Sequence, residues 1–289
     1  MNQIGPSVIV RAMALQGAQR RLAARLYTPG PVAQHAGLIV FFHHGGFVGG
    51  DLDEVDEFLR ALAVRSQHQV LSSTYTLAGE QPFPAAVEDA YAVLAWAVKH
   101  RQKIDWDGAQ LIVAGIEAGG NLAAVASLMA RDRGGPAVAA QILIMPMLDP
   151  GLTSCSMRSL PRDRGEAASF AVGVAEACAA GYRGYLQRAA DRIHPYASPL
   201  QSSRLKNLPP ALILSAEDDP LRDEAEQYGA KLIACGVKTQ VTRMPPLPMQ
   251  DPDARCDCVR KDSALNEIAA FIAGIAPGSL NENGGTGNS

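Results

Sequence analysis

The 289-residue sequence has no surplus of basic charge, no long apolar run and few cysteines. Lys and Arg number 26 against 29 Asp and Glu, a formal net charge of −3. Phosphate backbones need a basic footprint, so nucleic acid is not expected as a main partner. The longest apolar runs fall far short of the roughly 20 residues that cross a bilayer, so no membrane span is expected. The opening MNQIGPSVIVRAMALQ is interrupted by Arg11 and has no apolar h-region, which argues against a secretory leader. The five cysteines (Cys155, Cys178, Cys235, Cys256 and Cys258) are odd in number and scattered. They do not read as a disulfide framework, and a reducing cytoplasm is the expected compartment. Cys256 and Cys258 form a short pair with no second pair and no nearby histidine, so neither a metal nor another cofactor is expected.

What is present is a globular composition, 47% apolar and 19% charged. That excludes collagen and bulk disorder, and a chain this long buries a sizeable core without staples. Alternation over Ser7–Ala14 and Arg21–Tyr27 predicts two half-exposed strands. Gly37–Phe42 (GLIVFF) is continuously apolar, as in a parallel strand buried on both faces. Further strands are predicted at Gln69–Tyr75, Ala109–Ala114, Val138–Met145, Ala211–Ser215 and Lys238–Met244. Helices are predicted at Val55–Ser66, from Ala85 to His100, from Ala118 to Arg131, near Glu166–Leu186, at Arg222–Cys235 and at Asp262–Ile275. Strands alternating with helices imply an α/β fold, a mostly parallel sheet of about eight strands covered by helices on both faces. Residues 1–276 are expected to form a single domain, with a less regular insert at about 151–193 and a disordered Gly/Asn-rich tail at 277–289. Ligands on such sheets gather at the carboxyl ends of the strands.

Four stretches fall at those ends in order. The first is His43-His44-Gly45-Gly46-Phe47-Val48-Gly49-Gly50-Asp51, and the second is Tyr75-Thr76-Leu77-Ala78-Gly79-Glu80-Gln81-Pro82-Phe83-Pro84. The third is Gly115-Ile116-Glu117-Ala118-Gly119-Gly120-Asn121-Leu122. The fourth is Pro195-Tyr196-Ala197-Ser198-Pro199-Leu200, followed by Asp219-Pro220-Leu221-Arg222-Asp223. Together they resemble the α/β-hydrolase superfamily, in particular its hormone-sensitive-lipase-like esterase branch (α/β-hydrolase fold-3). The corresponding family patterns are H-G-G-G-F-x-x-G-D, Y-R-L-A-P-E-x-x-F-P, G-D-S-A-G-G-N-L and D-P-L-R-D.

The resemblance implies Ser–His–Asp chemistry with the serine on a sharp strand-to-helix turn. Glu117 stands at the nucleophile position. Asp219 matches the triad acid, and in the best register Met249 falls about where the histidine belongs. The six histidines are His35, His43, His44, His68, His100 and His194, so none follows Asp219. A thioether cannot shuttle a proton at neutral pH. The resemblance also places an oxyanion hole at the backbone N–H groups of Gly45, Gly46 and Ala118. His43 would brace that loop. His44, where the family has a first glycine, would narrow the mouth, offer a donor, or pair with Glu117.

Three readings of Glu117 follow. It is a plug, its carboxylate satisfying the donors a substrate oxyanion would meet. It is a general base, abstracting a proton beside a bound carbonyl in a lyase or isomerase. Or it is a nucleophile in an unconventional ester hydrolase, with no histidine to activate water against the intermediate. The first is preferred, which makes the protein a pseudoenzyme binding a small apolar or acyl/carbonyl-type ligand or a protein partner. The resemblance also makes a homodimer through the last strands conceivable. The acids Glu217, Asp218, Asp219, Asp223, Glu224 and Glu226 surround a helix start, where they complement the dipole. Few residues precede the first strand, so the cleft is open unless the insert covers it.

Overall fold

The computed structural model describes residues 8–30, 37–159, 166–246 and 262–275. Eight strands form one sheet: β1 (Val8–Gln16), β2 (Arg21–Pro29), β3 (Leu38–Phe42), β4 (Gln69–Ser73), β5 (Leu111–Ile116), β6 (Ala140–Ile144), β7 (Ala211–Ala216) and β8 (Thr239–Met244). Their order is β1-β2-β4-β3-β5-β6-β7-β8. β1 pairs with β2, and β2 with β4, antiparallel; every other pair is parallel. The helices are α1 (Asp56–Ser66), α2 (Ala85–Lys99), α3 (Ala118–Asp132), α4 (Cys155–Arg158), α5 (Glu166–Tyr185), α6 (Arg222–Ala234) and α7 (Asp262–Ala273).

The pattern of β3 explains the layering. In Leu38-Ile39-Val40-Phe41-Phe42 all five side chains are buried. Leu38, Val40 and Phe42 join a core shared with α2, α3 and α6. Ile39 and Phe41 turn to the opposite core, built with α1 and α7. Successive side chains of a strand point to opposite faces, so a strand covered on both must be apolar throughout. α3 lies over the centre of the sheet and is buried from Ala118 to Ala130, which its Ala/Gly-rich sequence permits. The edge strand β8 is mostly half-exposed.

Predicted strand boundaries are corrected: β4 ends at Ser73 and not at Tyr75, and β6 runs Ala140–Ile144 and not Val138–Met145. β5 begins at Leu111, two residues later than expected, and runs on to Ile116. Gly108 has φ +90°, and the Ala109 N–H donates to Asp107 Oδ1 at 2.8 Å. That turn delays the strand and carries its end up to Glu117.

Asp89 on α2 ties two loops to the helix. Its Oδ1 accepts the Ala18 N–H at 2.8 Å. Its Oδ2 accepts the Thr76 N–H at 2.9 Å and the Thr76 hydroxyl at 2.6 Å. Asp89→Asn leaves one oxygen for three donors and turns an NH2 toward one of them. The expected loss is about 1–3 kcal/mol, read as a lower urea midpoint at unchanged m.

Candidate active site

The carboxyl ends of β3, β5 and β7 carry the residues singled out above. After β3 the chain turns through Gly45 (φ +123°), Gly46 (φ +58°) and Phe47 (φ +66°). A Cβ on Gly45 would meet Gly49 O at 2.2 Å, so only glycine fits there. This turn directs successive backbone N–H groups toward β5.

Glu117 sits between β5 and α3 with φ 56° and ψ −113°. Such a conformation costs a non-glycine residue on the order of 1–3 kcal/mol. The surroundings hold it there. The Glu117 N–H donates to Ile144 O at 2.9 Å. Its carbonyl accepts the Asn121 N–H at 3.1 Å and the Met147 N–H at 3.0 Å. The side chain reaches back to the β3 loop, where Oε2 accepts the Gly45 N–H at 2.7 Å and the Gly46 N–H at 3.0 Å. Both donors expected in an oxyanion hole on that loop therefore converge on one carboxylate oxygen. Ala118, the third expected donor, is the buried first residue of α3, where backbone N–H groups have no partner within the helix.

His43 is buried. Its Nδ1–H donates to His44 O at 2.6 Å, its ring stacks on Tyr75 with centroids 4.5 Å apart, and the Tyr75 hydroxyl donates to His43 O at 3.2 Å. Burial pushes its pKa down to about 4, so the ring is neutral at pH 7. His44 Nε2 lies 3.4 Å from Glu54 Oε2. Asp219 is buried in the turn after β7, where its Oδ1 accepts the Leu221 N–H at 2.7 Å. Two strand spacings separate the ends of β5 and β7, about 10 Å. Met249, expected near the position of the triad histidine, lies outside the described residues, as do Cys256 and Cys258 and the tail at 277–289. His194 lies by Phe83, with ring centroids 5.3 Å apart, and its Nδ1 accepts the Tyr196 N–H at 3.1 Å.

The insert covers the loop. A Cβ on Gly181 of α5 would meet Gly46 O at 2.4 Å, and the rings of Phe47 and Tyr185 stack with centroids 4.0 Å apart and planes 9° from parallel. This contact was not legible beforehand, because nothing local in α5 marks the face that meets the β3 loop. Asn121 falls within the Gly115–Leu122 motif, which gives no sign of its role. Its Nδ2 donates to Met147 O at 2.7 Å and Ala197 O at 3.3 Å, joining the elbow to the loops after β6 and α5. One expectation needs correction. Glu224, expected among the acids that complement a helix dipole, turns inward and is fully buried. Its neighbours do behave as surface acids: Asp223 pairs with Arg222 and Glu226 with Arg243.

A family model described as alpha/beta hydrolase fold matches residues 39–248. The chain belongs to the α/β-hydrolase family. Within it, similar proteins carry esterase names. An esterase, LipI, from Mycobacterium tuberculosis is 37% identical over 82% of this chain and 73% of its own length. An arylesterase from Saccharolobus solfataricus is 32% identical over 79% of this chain and 72% of its own. The structure of a hyperthermophilic esterase from Pyrobaculum calidifontis superposes with a TM-score of 0.79 at 34% identity, covering 93% of this chain and 87% of that one. This α/β-hydrolase thus shares the esterase-like, hormone-sensitive-lipase-type scaffold while carrying glutamate at the elbow. Among its described residues no helix is long and apolar enough to cross a membrane, and no group of three His, Cys, Asp or Glu is placed to hold a metal ion.

Proposed function

We propose that this esterase-like α/β-hydrolase is non-hydrolytic and serves as a ligand- or partner-binding pseudoenzyme. One observation carries the reading: the Gly45 and Gly46 N–H groups both donate to Glu117 Oε2. An acyl oxygen and a carboxylate oxygen cannot occupy the same point. The protein's own anion takes the donors that would otherwise stabilise a tetrahedral intermediate. The same contact weighs against Glu117 as a base, since the oxygen facing the loop is already engaged by two donors and a bound carbonyl would have lost its own. The sequence adds that no histidine follows Asp219. With the loop's donors taken by Glu117, binding without chemistry rests on the surrounding apolar side chains. Small apolar or acyl/carbonyl-type molecules, a protein partner or a second copy of the chain in a cytoplasmic setting fit this reading.

Hydrolysis of p-nitrophenyl acetate by the native protein, Glu117→Ser and Glu117→Gln tests it. All three are expected at the uncatalysed rate. Restoring a hydroxyl is not enough, because loss of the base alone removes about a million-fold in kcat from a working triad. Native turnover above that rate, abolished by Glu117→Gln, would overturn the proposal in favour of carboxylate-dependent hydrolysis.

A further inference from the structure

We propose that Glu224 is a buried, protonated latch that holds α5 and the turn at Leu148–Asp149 against the site, and that the latch opens when its carboxyl ionises. Glu224 lies near the start of α6 and is 0% exposed. Its Oε1 accepts the Leu148 N–H at 2.6 Å and the Asp149 N–H at 3.3 Å. Its Oε2 is buried and has no hydrogen-bond partner among the described residues. Among the described residues no lysine or arginine forms an ion pair with it.

Titratable groups lie near it on several elements. After β6 there is Asp149, itself supplied with donors by Gly151 N–H, the Thr153 hydroxyl and Gln201 Nε2. After β7 there is Asp219, and α5 contributes the buried Tyr182 hydroxyl. On α6 itself, Asp223 turns away to Ser156 N–H and Arg222, and Tyr228 follows one turn on. Two acids therefore lie near a carboxyl removed from water, and no lysine or arginine among the described residues pairs with it. A charge in that place is costly, so the group keeps its proton. Burial, with Asp149 and Asp219 adding to it and the two N–H donors opposing, raises its pKa to about 8.

The cluster is joined to the site by two short paths. Leu148 follows Met147, whose N–H donates to Glu117 O at 3.0 Å. Tyr182 follows Gly181, which packs on Gly46, one of the two donors to Glu117. An ionised Glu224 has to draw water to Oε2, and water enters by displacing α5 and the Leu148–Asp149 turn. The opening is local, because the carboxyl's hydrogen bonds run to the Leu148–Asp149 turn and not to a strand. The latch stands on the fold and not on the reading of Glu117 as a plug, and it is tested without ligand or turnover.

The test is peptide-resolved hydrogen exchange of the full chain, native against Glu224→Gln, compared at each pH so that intrinsic rates cancel. Glutamine mimics the protonated acid. At pH 6 the two proteins should match in every peptide. At pH 9 the native protein should exchange roughly tenfold faster or more in α5 and around residues 145–153, with β3, β5 and β6 unchanged. Equal exchange at pH 9, or uniform acceleration over the whole sheet, would overturn the latch. If the glutamine variant does not fold, the native protein decides by side-chain carboxyl carbon resonances. A carboxyl titrating near pH 8 in step with α5 exchange supports the latch, and its absence refutes it.

Discussion

Gly119→Ala is expected to abolish the folded state or to cost about 4 kcal/mol or more, an exceptional loss for one methyl group. A Cβ at Gly119 would lie 2.0 Å from Phe42 O, 2.5 Å from Phe42 C and 2.6 Å from His43 O. All three are backbone atoms, so no rotamer change relieves the clash. Relief requires moving the N-terminus of α3 away from the end of β3, and β3 is buried between the two cores while α3 is buried in one of them. Packed interiors deform little, so the displacement would reach the β3 loop and separate Gly45 and Gly46 from Glu117. Gly79→Ala is the control. A Cβ there meets nothing within 4 Å, and its stability should stay within about 0.5 kcal/mol of native. Thermal unfolding followed by circular dichroism distinguishes the two. A Gly119→Ala protein with a native melting temperature would show that the elbow is not packed as described.

That tight elbow was legible in the sequence because its determinants are local. Gly115 and Gly119 stand two residues either side of Glu117, between an apolar run and an alanine-rich helix, and the structure puts a sharp turn there. The continuous apolar run at β3 and the alternation of β2 were legible for the same reason: period reports burial. The destination of the Glu117 side chain was not. A glutamate at an elbow is compatible with a base, a nucleophile or a plug, and the bonds from Gly45 and Gly46 join positions 72 and 71 residues away. The inward turn of Glu224 was hidden in another way. Asp223, Glu224 and Glu226 are equally acidic in sequence, and only the phase of α6 against the sheet decides which one loses water. The seating of Gly181 on Gly46 likewise depends on where an irregular insert returns to the sheet.

The pH dependence of stability follows from two buried groups of opposite sense. Glu224 has its folded pKa raised from 4.5 to about 8. Between those values the folded state holds a proton that the unfolded chain has released, so its contribution to stability falls as pH rises. The penalty is absent below the unfolded value and complete above the folded one. His43 has its folded pKa lowered from 6.5 to about 4. Between those values the unfolded chain holds the extra proton, so stability rises with pH. Each slope approaches roughly 1 kcal/mol per pH unit where one state is protonated and the other is not. From about pH 4.5 to 6.5 the two slopes oppose one another and the curve is flat. Above pH 6.5 only the Glu224 slope remains, and native stability should fall until about pH 8. Glu224→Gln keeps an oxygen for the Leu148 and Asp149 N–H groups and cannot ionise. It should therefore remove the alkaline fall and uncover the His43 slope, so that stability climbs from pH 4 to 6.5 and then levels. At pH 9 the variant should be the more stable protein by roughly 1–2 kcal/mol, after allowing for relaxation around the ionised carboxyl. Urea unfolding at half-unit pH intervals measures the difference directly, and shifts common to both proteins cancel in it. Parallel native and variant curves from pH 6.5 to 9 would mean that Glu224 is already ionised in the folded protein, with water or a cation reaching its carboxyl.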